Sequence, residues 1–508
     1  MTSKKILTLN DLIRKTREFK AQGNVVVQSH GVFDLIHPGT IAHLKSAKAQ
    51  GDIFIVTVIK DKDIRRGPGR PVFSEALRAE NVASLEIVDY VSIVDDEIPF
   101  ECIKMLNPDV FAKGQPQKER DQLIHKRIFE QEKELYLGRV KIFETAGFSF
   151  SSSRIINDFL TIYPEETKVF LKKFSGKYDL SGISSELNKL KNLNVLLIGD
   201  GIIDEYHYCA PMNRSPKANI IVNKYLTHER FAGGAFAIAN HIAGLCKQVH
   251  LVTLLGTDNS HEEFILENLK PNITSKFFYR DESPTIVKKR YINQFLNQKI
   301  FEINYLNDDY IEGPLAESAV SYLKSIIPDY DLVLISDFGH GLITKQIINT
   351  VSNSAKILAV NTQTNGANAG YNLITKYKNP NLVCLDEPEL RLAAQDRTSD
   401  TETIARRIAQ QVNANCFIVT LGRKGSLGIS KQEGINRTPI FSSKVIDTVG
   451  AGDAFFSYVA PCYACELPLD LISFIGNAVG AMAVQIVCNK KSIEKHELLE
   501  FIHALLKQ

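Results

Sequence analysis

Two short runs in the chain combine residue types and spacing that could do chemistry. The first is Ser29-His30-Gly31-Val32-Phe33-Asp34-Leu35-Ile36-His37-Pro38-Gly39-Thr40, which follows an apolar strand pattern and leads straight into a helical one. A strand, a glycine turn and a helix N-terminus make a ready phosphate site, because unpaired N–H groups and the helix dipole both favour an anion. His37 beside that terminus can donate to a phosphate oxygen or serve as a satisfied structural histidine; spacing alone leaves both open. The second run is Asp447-Thr448-Val449-Gly450-Ala451-Gly452-Asp453-Ala454-Phe455-Phe456. Three small residues before an acid, followed by an apolar helix, again form an anion cradle. An acid is a poor companion for phosphate-binding amides, since like charges repel. It makes sense if Asp453 accepts a proton from a hydroxyl that attacks a γ-phosphate. A helix-capping acid after a glycine turn is the competing reading.

The elements that must position these runs follow from periodicity. TLNDLIRKTREFKAQG reads as a capped amphipathic helix closed by Gly23. Val25–Val27, a helix from about Pro38 to Gln50, Ile53–Ile59 and a helix from about Ser74 to Leu85 alternate as βαβ units do. The pattern fades near Phe159, and the charged stretch 163–192 reads as a partly helical connector without a buried strand. From Asn194 a second series begins, with apolar runs Val195–Ile198, Leu332–Ile335, Ile357–Val360, Leu382–Leu385 and Phe417–Val419. Each ends in small or polar residues: Gly199-Asp200, Ser336-Asp337, Asn361-Thr362, Asp386-Glu387 and Thr420-Leu421-Gly422. Ligands of open α/β sheets bind beyond the strand C-termini, so five such ends suggest one shared site.

Composition narrows the class. With 508 residues, two to four domains are expected at roughly 100–200 residues each. The hydrophobic fraction of 44% and charged fraction of 23% are ordinary for a globular protein. Lys+Arg 60 against Asp+Glu 58 gives +2, so no global field steers nucleic acid or an anionic membrane. Eight cysteines are too sparse for a disulfide scaffold, and no apolar leader opens the chain, so a cytoplasmic setting is expected. Cys462-Tyr463-Ala464-Cys465 has redox or zinc spacing but no second pair, and lies in an apolar helical stretch, as core thiols do. There is no Walker A run, no G-x-G-x-x-G after a strand and no His pair flanking Glu.

GVFDLIHPGT, HLKSAKAQGD, GPGRPVFSEALRAENVASLEIVDYV, Pro108–Gly114 and Ser151–Ile156 together resemble the cytidylyltransferase-like nucleotidyltransferases over about residues 24–160. The similarity is closest to the adenylyltransferase half of the bifunctional bacterial heptose kinase/adenylyltransferases. The resemblance implies that a sugar phosphate oxygen attacks the α-phosphate of a nucleoside triphosphate, ATP or CTP, by positioning and charge neutralisation. It implies phosphate contact by His37 and nucleotide contacts by Gly31, Phe33, Asp34, Thr40, Lys113, Ser151, Ser152 and Ser153, with Arg65, Arg66 and Arg70 as anion contacts or a solvated basic turn. The family pattern is His-x-Gly-His, and Thr40 stands where the second histidine belongs. Gln115-Pro116-Gln117 likewise replaces the usual acid and tyrosine after Lys113-Gly114.

From residue 191 onward the chain resembles the ribokinase-like, PfkB-type carbohydrate kinases. The resemblance rests on VLLIGDGIID (Val195–Asp204), Phe231–Asn240, Pro284–Arg290, Val419–Ser426 and Gly450–Asp453. It implies Asp453 as catalytic base, Gly450, Ala451 and Gly452 as the anion hole, and Asp204, Gly233, Gly234 and Asn240 on sugar hydroxyls. Thr420 and Gly422 would contact the nucleotide. The family's Asn-x-x-Glu falls at Asp386 and Glu389, near the triphosphate and its Mg²⁺, and the family's Asp-Pro-Lys is here Asn361-Thr362-Gln363.

The expected fold is α/β: a Rossmann-like nucleotidyltransferase domain (1–162), a connector (163–192) and a ribokinase-like α/β/α sandwich with a small β lid (193–508). The expected function is bifunctional nucleotide-sugar synthesis for a surface polysaccharide, with ATP, Mg²⁺ and a second nucleoside triphosphate. A sugar kinase with a degenerate first domain and a non-catalytic scaffold are the alternatives. The domain order is the reverse of that in the heptose enzymes, whose kinase comes first. Sugar phosphates and nucleotides are the expected partners, with no nucleic acid or membrane, and a homodimer as the assembly to test.

Overall fold

The structure is a computed structural model and describes residues 4–64, 71–95, 100–114, 140–145, 163–366, 368–442 and 444–507. It forms two compact units, Met1–Ser184 with His496–Gln508, and Ser185–Lys495.

The first unit is built on a five-stranded parallel sheet: β1 (Val26–Gly31), β2 (Ile53–Ile59), β3 (Tyr90–Val94), β4 (Val110–Gly114) and β5 (Lys141–Thr145). The order is β3-β2-β1-β4-β5, so the chain winds outward from β1 in one direction and then from β4 in the other. Alternation along the strands feeds two apolar layers. Val27, Phe54 and Val56 pack with Leu44, Ala79 and Val82, while Val26 and Ile55 pack with Leu12, Cys102 and Leu106. Helix Leu9–Ala21 starts at Thr8, whose hydroxyl accepts the Asp11 amide, as the sequence pattern predicts.

The stretch 163–192 is helical and holds no strand, as expected. Helices Glu165–Ser175 and Leu180–Lys189 bury Leu171, Phe174, Ile183 and Leu187. Their spacing of three and four places one apolar stripe on each helix, masked in the sequence by the lysines and glutamates between. The division between units falls at Ser184/Ser185, inside the second helix, and not at the two ends of a linker.

In the second unit, β6 (Asn194–Gly199) leads into a long hairpin, β7 (Gly201–Arg214) and β8 (Ile221–Gly234). There follow β9 (Gln248–Asp258), β10 (Ile273–Pro284), β11 (Val287–Asn293) and β12 (Gln298–Tyr305). Next come β13 (Leu332–Asp337), β14 (Leu358–Thr362), β15 (Leu382–Asp386), β16 (Cys416–Thr420), β17 (Ser426–Ser430) and β18 (Gly434–Thr438). Nine of them form one sheet, β10-β9-β6-β13-β14-β15-β16-β17-β18, parallel as far as β16. The other four form a separate sheet, β12-β11-β7-β8. Helices Gly313–Ile326, Lys345–Ser354, Glu387–Ala394 and Thr401–Val412 cover one face of the large sheet. Ala235–Ala243, Ala451–Ala464 and Leu469–Ala483 pack together with its strands from the other side. This is the expected α/β/α sandwich with a small β lid. All eight cysteines are free; Cys462 is fully buried in helix Ala451–Ala464 and belongs to the core, and half-buried Cys465 caps that helix. Among the described residues no helix is long and apolar enough to cross a membrane.

Candidate active sites

In the second unit the glycine run before Asp453 becomes a left-handed turn. Gly450 has φ +83°, and a Cβ there would stand 2.1 Å from Asn489 Oδ1, so only glycine fits. Helix Ala451–Ala464 then starts without a side-chain cap. The amides of Gly452 and Asp453 have no hydrogen-bond partner among the described residues, and a Cβ on Gly452 would meet open space. Of the expected anion hole, the Ala451 amide is engaged, donating to the Thr448 carbonyl at 3.3 Å, while free amides at a helix N-terminus, as at Gly452 and Asp453, suit an anion.

Asp453 stands on the first turn, 6% exposed. Burial pushes its carboxyl up to about 7, aided by the charge of Asp204 and opposed by the side-chain amide that Gln363 donates to it. Gln363 also donates to Asn361 Oδ1 at 3.1 Å, and Asn361 to the Cys384 carbonyl at 2.9 Å. The strand end that lacks the family's lysine thus supplies a neutral donor to the acid.

These groups line a cleft of ≈ 390 Å³ beneath the lid sheet. Asp204, Gly234, Lys288, Arg290, Asn361, Gln363, Asp386, Glu389, Thr420, Gly450, Gly452 and Asp453 are all in its wall. Asp204 is buried and bound by Arg290, which also reaches Glu302 at 2.7 Å. Gly233 lies against Asp204: a Cβ there would fall 2.0 Å from its Oδ2, so this glycine seats the acid. Next to the cleft is an apolar crevice of ≈ 300 Å³, lined by Gly422, Phe441, Val445, Ala451, Ala481 and Val484 among others, and sharing Thr420, Thr448, Gly452 and Phe455 with it. A flat apolar group in the crevice would present attached phosphates to the Gly452–Asp453 amides.

Asp386 and Glu389 form a reciprocal capping box at the start of helix Glu387–Ala394. Glu389 also accepts the Thr364 amide at 3.1 Å, and burial beside Asp386 raises its proton affinity.

Two of the five strand ends serve the scaffold instead. Asp200 accepts the Phe338 and His340 amides at 3.0 and 3.2 Å, and Asp337 binds Tyr377 Oη and Lys376 Nζ, both at 2.6 Å. Of the expected sugar contacts, Gly233 and Asn240 are absent from the cleft wall, and Asn240 turns elsewhere. Its side chain donates to the Asn268 carbonyl and accepts the Lys270 amide, at 2.8 and 3.0 Å. It follows the diglycine by six residues on helix Ala235–Ala243, on the face toward the 268–270 turn.

In the first unit, His37, Lys113 and Thr145 all stand at the C-terminal edge of the sheet, about the switch point between β1 and β4. His37 is the N-cap of helix Pro38–Lys48, and its Nδ1 accepts the Thr40 amide at 3.3 Å. Burial lowers its proton affinity. With Nδ1 accepting, the ring proton sits on Nε2, which is left to donate. The Asp34 carboxylate accepts the Val72 and Phe73 amides at 2.7 and 2.9 Å, and buried Arg78 donates to the Val32 and Phe73 carbonyls. Asp34 therefore pins the loop after β1 to segment 72–73. Phe33 adopts φ +50° with its ring against Gly31. Lys113 Nζ lies 3.7 Å from Glu144. Ser151, Ser152, Ser153, Arg65, Arg66, Arg70 and Gln115-Pro116-Gln117 lie outside the described residues.

Sequence reasoning missed His43. Its ring bridges Ser29 Oγ on β1 and Thr145 Oγ1 on β5, each at 2.7 Å. One turn beyond Thr40 on the same helix, it joins three elements beneath the loop; only the i, i+3 spacing from Thr40 hinted at it. Gln363, Arg290 and Asn489 were missed in the kinase cleft.

A two-sheet unit with a glycine-capped anion cradle, a buried carboxyl beside it and a lid over both defines a phosphotransferase. Comparison with known families agrees. Residues 194–492 match the pfkB family carbohydrate kinases, and residues 29–158 match the cytidylyltransferase-like family. The first match covers more than half of the chain, which therefore belongs to the pfkB family of carbohydrate kinases. With the unit that precedes it, this is a sugar kinase and nucleotidyltransferase on one polypeptide. Bifunctional protein HldE of Campylobacter jejuni subsp. jejuni serotype O:2 is 25% identical over 334 residues, covering 62% of this chain and 68% of the relative. HldE of Azorhizobium caulinodans is 40% identical over 111 residues, 22% of this chain and 23% of the relative. The tetrameric inhibited form of phosphofructokinase-2 from Escherichia coli aligns with a TM-score of 0.50 at 15% identity, covering 62% of this chain and 100% of that one, and shares the fold.

Proposed function

We propose that the second unit transfers the γ-phosphoryl group of ATP to a hydroxyl of a heptose-phosphate-like sugar, and that the first unit joins a nucleotide to a sugar 1-phosphate. The observation that carries the kinase reading is the pairing of free Gly452 and Asp453 amides with the Asp453 carboxyl at one end of the cleft. The amides receive the charge that builds on the transferred group. Asp453 accepts the proton of the attacking hydroxyl; near pH 7 it is balanced between holding and releasing that proton. Gln363 orients the carboxyl, Asp204 takes sugar hydroxyls, and Gly233 and Gly234 let the sugar approach. Thr420 and Gly422 border the crevice for the base.

Asp386 and Glu389 are the residues that would stand near the Mg²⁺ of the nucleotide and support it indirectly. Two carboxyl groups close together in a wall of the cleft favour a dication nearby, with both Glu389 oxygens held by the Thr364 and Asp386 amides. When bound, Mg²⁺ would neutralise triphosphate charge.

In the first unit, His37 would donate from Nε2 to the triphosphate, and Thr40 offers a hydroxyl where the family has a second imidazole. Lys113 and Ser151–Ser153 would border the nucleotide. Such a pair of activities suits production of an activated sugar for a surface polysaccharide in the cytoplasm. The test is direct: purified protein with ATP or CTP and a panel of sugar phosphates, reading ADP formation and pyrophosphate release separately. Pyrophosphate release with no ADP formation would leave the kinase reading without support.

A further inference from the structure

Seven charged residues line the kinase cleft, and only two of them are cations, Lys288 and Arg290. Arg290 is ion-paired with both Asp204 and Glu302. Lys288 is 6% exposed and has neither a hydrogen bond nor an ion pair among the described residues. Its ammonium group has the Phe338 ring face 5.8 Å away, and the carboxylates of Asp204, Glu302 and Asp200 act on it through space without bonding to it. Burying an ammonium ion without an anion hydrogen-bonded to it is unfavourable, and a neutral sugar would not relieve it. Burial accordingly lowers its proton affinity, although the Asp204 charge opposes this. The arrangement suits a site whose anion arrives with the ligand.

The position of Lys288 says which ligand. In register it lies opposite Asp204 on β7 and Asn304 on β12, on the lid face that looks into the cleft. Phe338, which its ammonium approaches, follows β13. The nucleotide contacts Asp386 and Thr420 end β15 and β16, beyond β14 in the sheet order. Lys288 is therefore on the side of the cleft where the acceptor sits. A compact ammonium serves a phosphate as a point charge, without the fork geometry that guanidinium would impose.

We propose that Lys288 receives a phosphate group already carried by the acceptor, so that this side chain selects a sugar phosphate over the unphosphorylated sugar. The proposal rests on the sugar-kinase reading and names how its substrate class is recognised. The test uses the full chain with ATP and, in turn, fructose 6-phosphate, mannose 6-phosphate, sedoheptulose 7-phosphate and their parent sugars. For the best sugar phosphate, Lys288→Met should lower the ratio of kcat/KM between phosphorylated and parent sugar by about 10–100-fold, as loss of a hydrogen bond to a charged group does. The change should appear in KM, and Lys288→Arg should recover part of it. An equal fall in kcat for both sugars would assign Lys288 to the transferred group and overturn the proposal, as would an unchanged ratio. Lys288→Gln carries the same test if the methionine variant does not fold. If the wild type phosphorylates none of these sugars, the kinase reading fails on its own. Calorimetric titration with inorganic phosphate then decides for Lys288: binding weakened at least about tenfold in Lys288→Met supports the assignment, and equal binding overturns it.

Discussion

The two units each place a helix N-terminus at the C-terminal edge of a parallel sheet, yet they leave it in different states. In the kinase unit Gly450 caps the helix through its backbone shape alone, and the Gly452 and Asp453 amides remain open. In the transferase unit His37 caps the helix with its own ring, Pro38 has no N–H, and the Thr40 amide is already engaged. Only the Gly39 amide is left among the first three helical residues. A helix N-terminus binds an anion through free N–H groups, so the same local motif gives a backbone cradle in one unit and a side-chain site in the other. On the proposed assignments, the kinase unit would use amides plus a carboxyl, and the transferase unit the Nε2 of one histidine.

The largest test of this contrast is Asp453→Asn. It should lower ATP-dependent sugar phosphorylation by about 10²–10⁴-fold while leaving pyrophosphate release from the first unit unchanged. Near-normal ADP formation in this variant would remove Asp453 from the chemistry.

The transferase side of the contrast is tested at His37 and Thr40. His37→Ala removes both the donor and the cap, and should reduce pyrophosphate release by about 10²–10³-fold. Loss of the cap should itself cost about 0.5–2 kcal/mol of stability, seen as an earlier chemical unfolding midpoint. Thr40→His restores a second imidazole and should raise turnover, most at lower pH, where the ring is more often cationic about its ordinary pKa of about 6.5. A fall in turnover would show that the threonine hydroxyl belongs to a working site.

A smaller effect is expected from pH. Asp453 works ionised, and burial puts its carboxyl near 7. The kinase rate should therefore drop about tenfold per pH unit below that point, while the transferase, proposed to work through His37, should lack this limb. Coincident profiles for the two activities would contradict the assignment.

The smallest effect is on stability. The Asp453 carboxyl is raised from 3.8 to about 7, so between these values the folded state keeps a proton that the unfolded chain has released. The folded state is thus penalised increasingly as pH rises from about 4 to 7, and fully above 7. Asp453→Asn escapes the penalty. It should melt a few degrees higher than wild type at pH 8, with the gap closing as the pH approaches 4. A lower melting temperature at pH 8 would mean that the carboxylate is better accommodated than its burial implies.

What the sequence determined by itself is what lies within a few residues. The Gly450–Asp453 turn, the His37 helix start, the strand runs and the division into two α/β series are set by local sterics, capping and periodicity, and each is found where the pattern puts it. Three of the five polar strand ends, Asn361, Asp386 and Thr420, reach the cleft as their position beyond the sheet edge suggests. The tertiary structure decided everything that depends on strand order and register. Gln363 meets Asp453 from 90 residues away, and Arg290 meets Asp204 from 86. Asp200 and Asp337 are drawn into the support of neighbouring turns, Asn240 faces the 268–270 turn, and His43 joins Ser29 to Thr145. Such partners are chosen by which strands lie side by side and which face a helix turns inward. No local preference of the chain encodes that choice, because it is fixed only when the apolar faces are buried together.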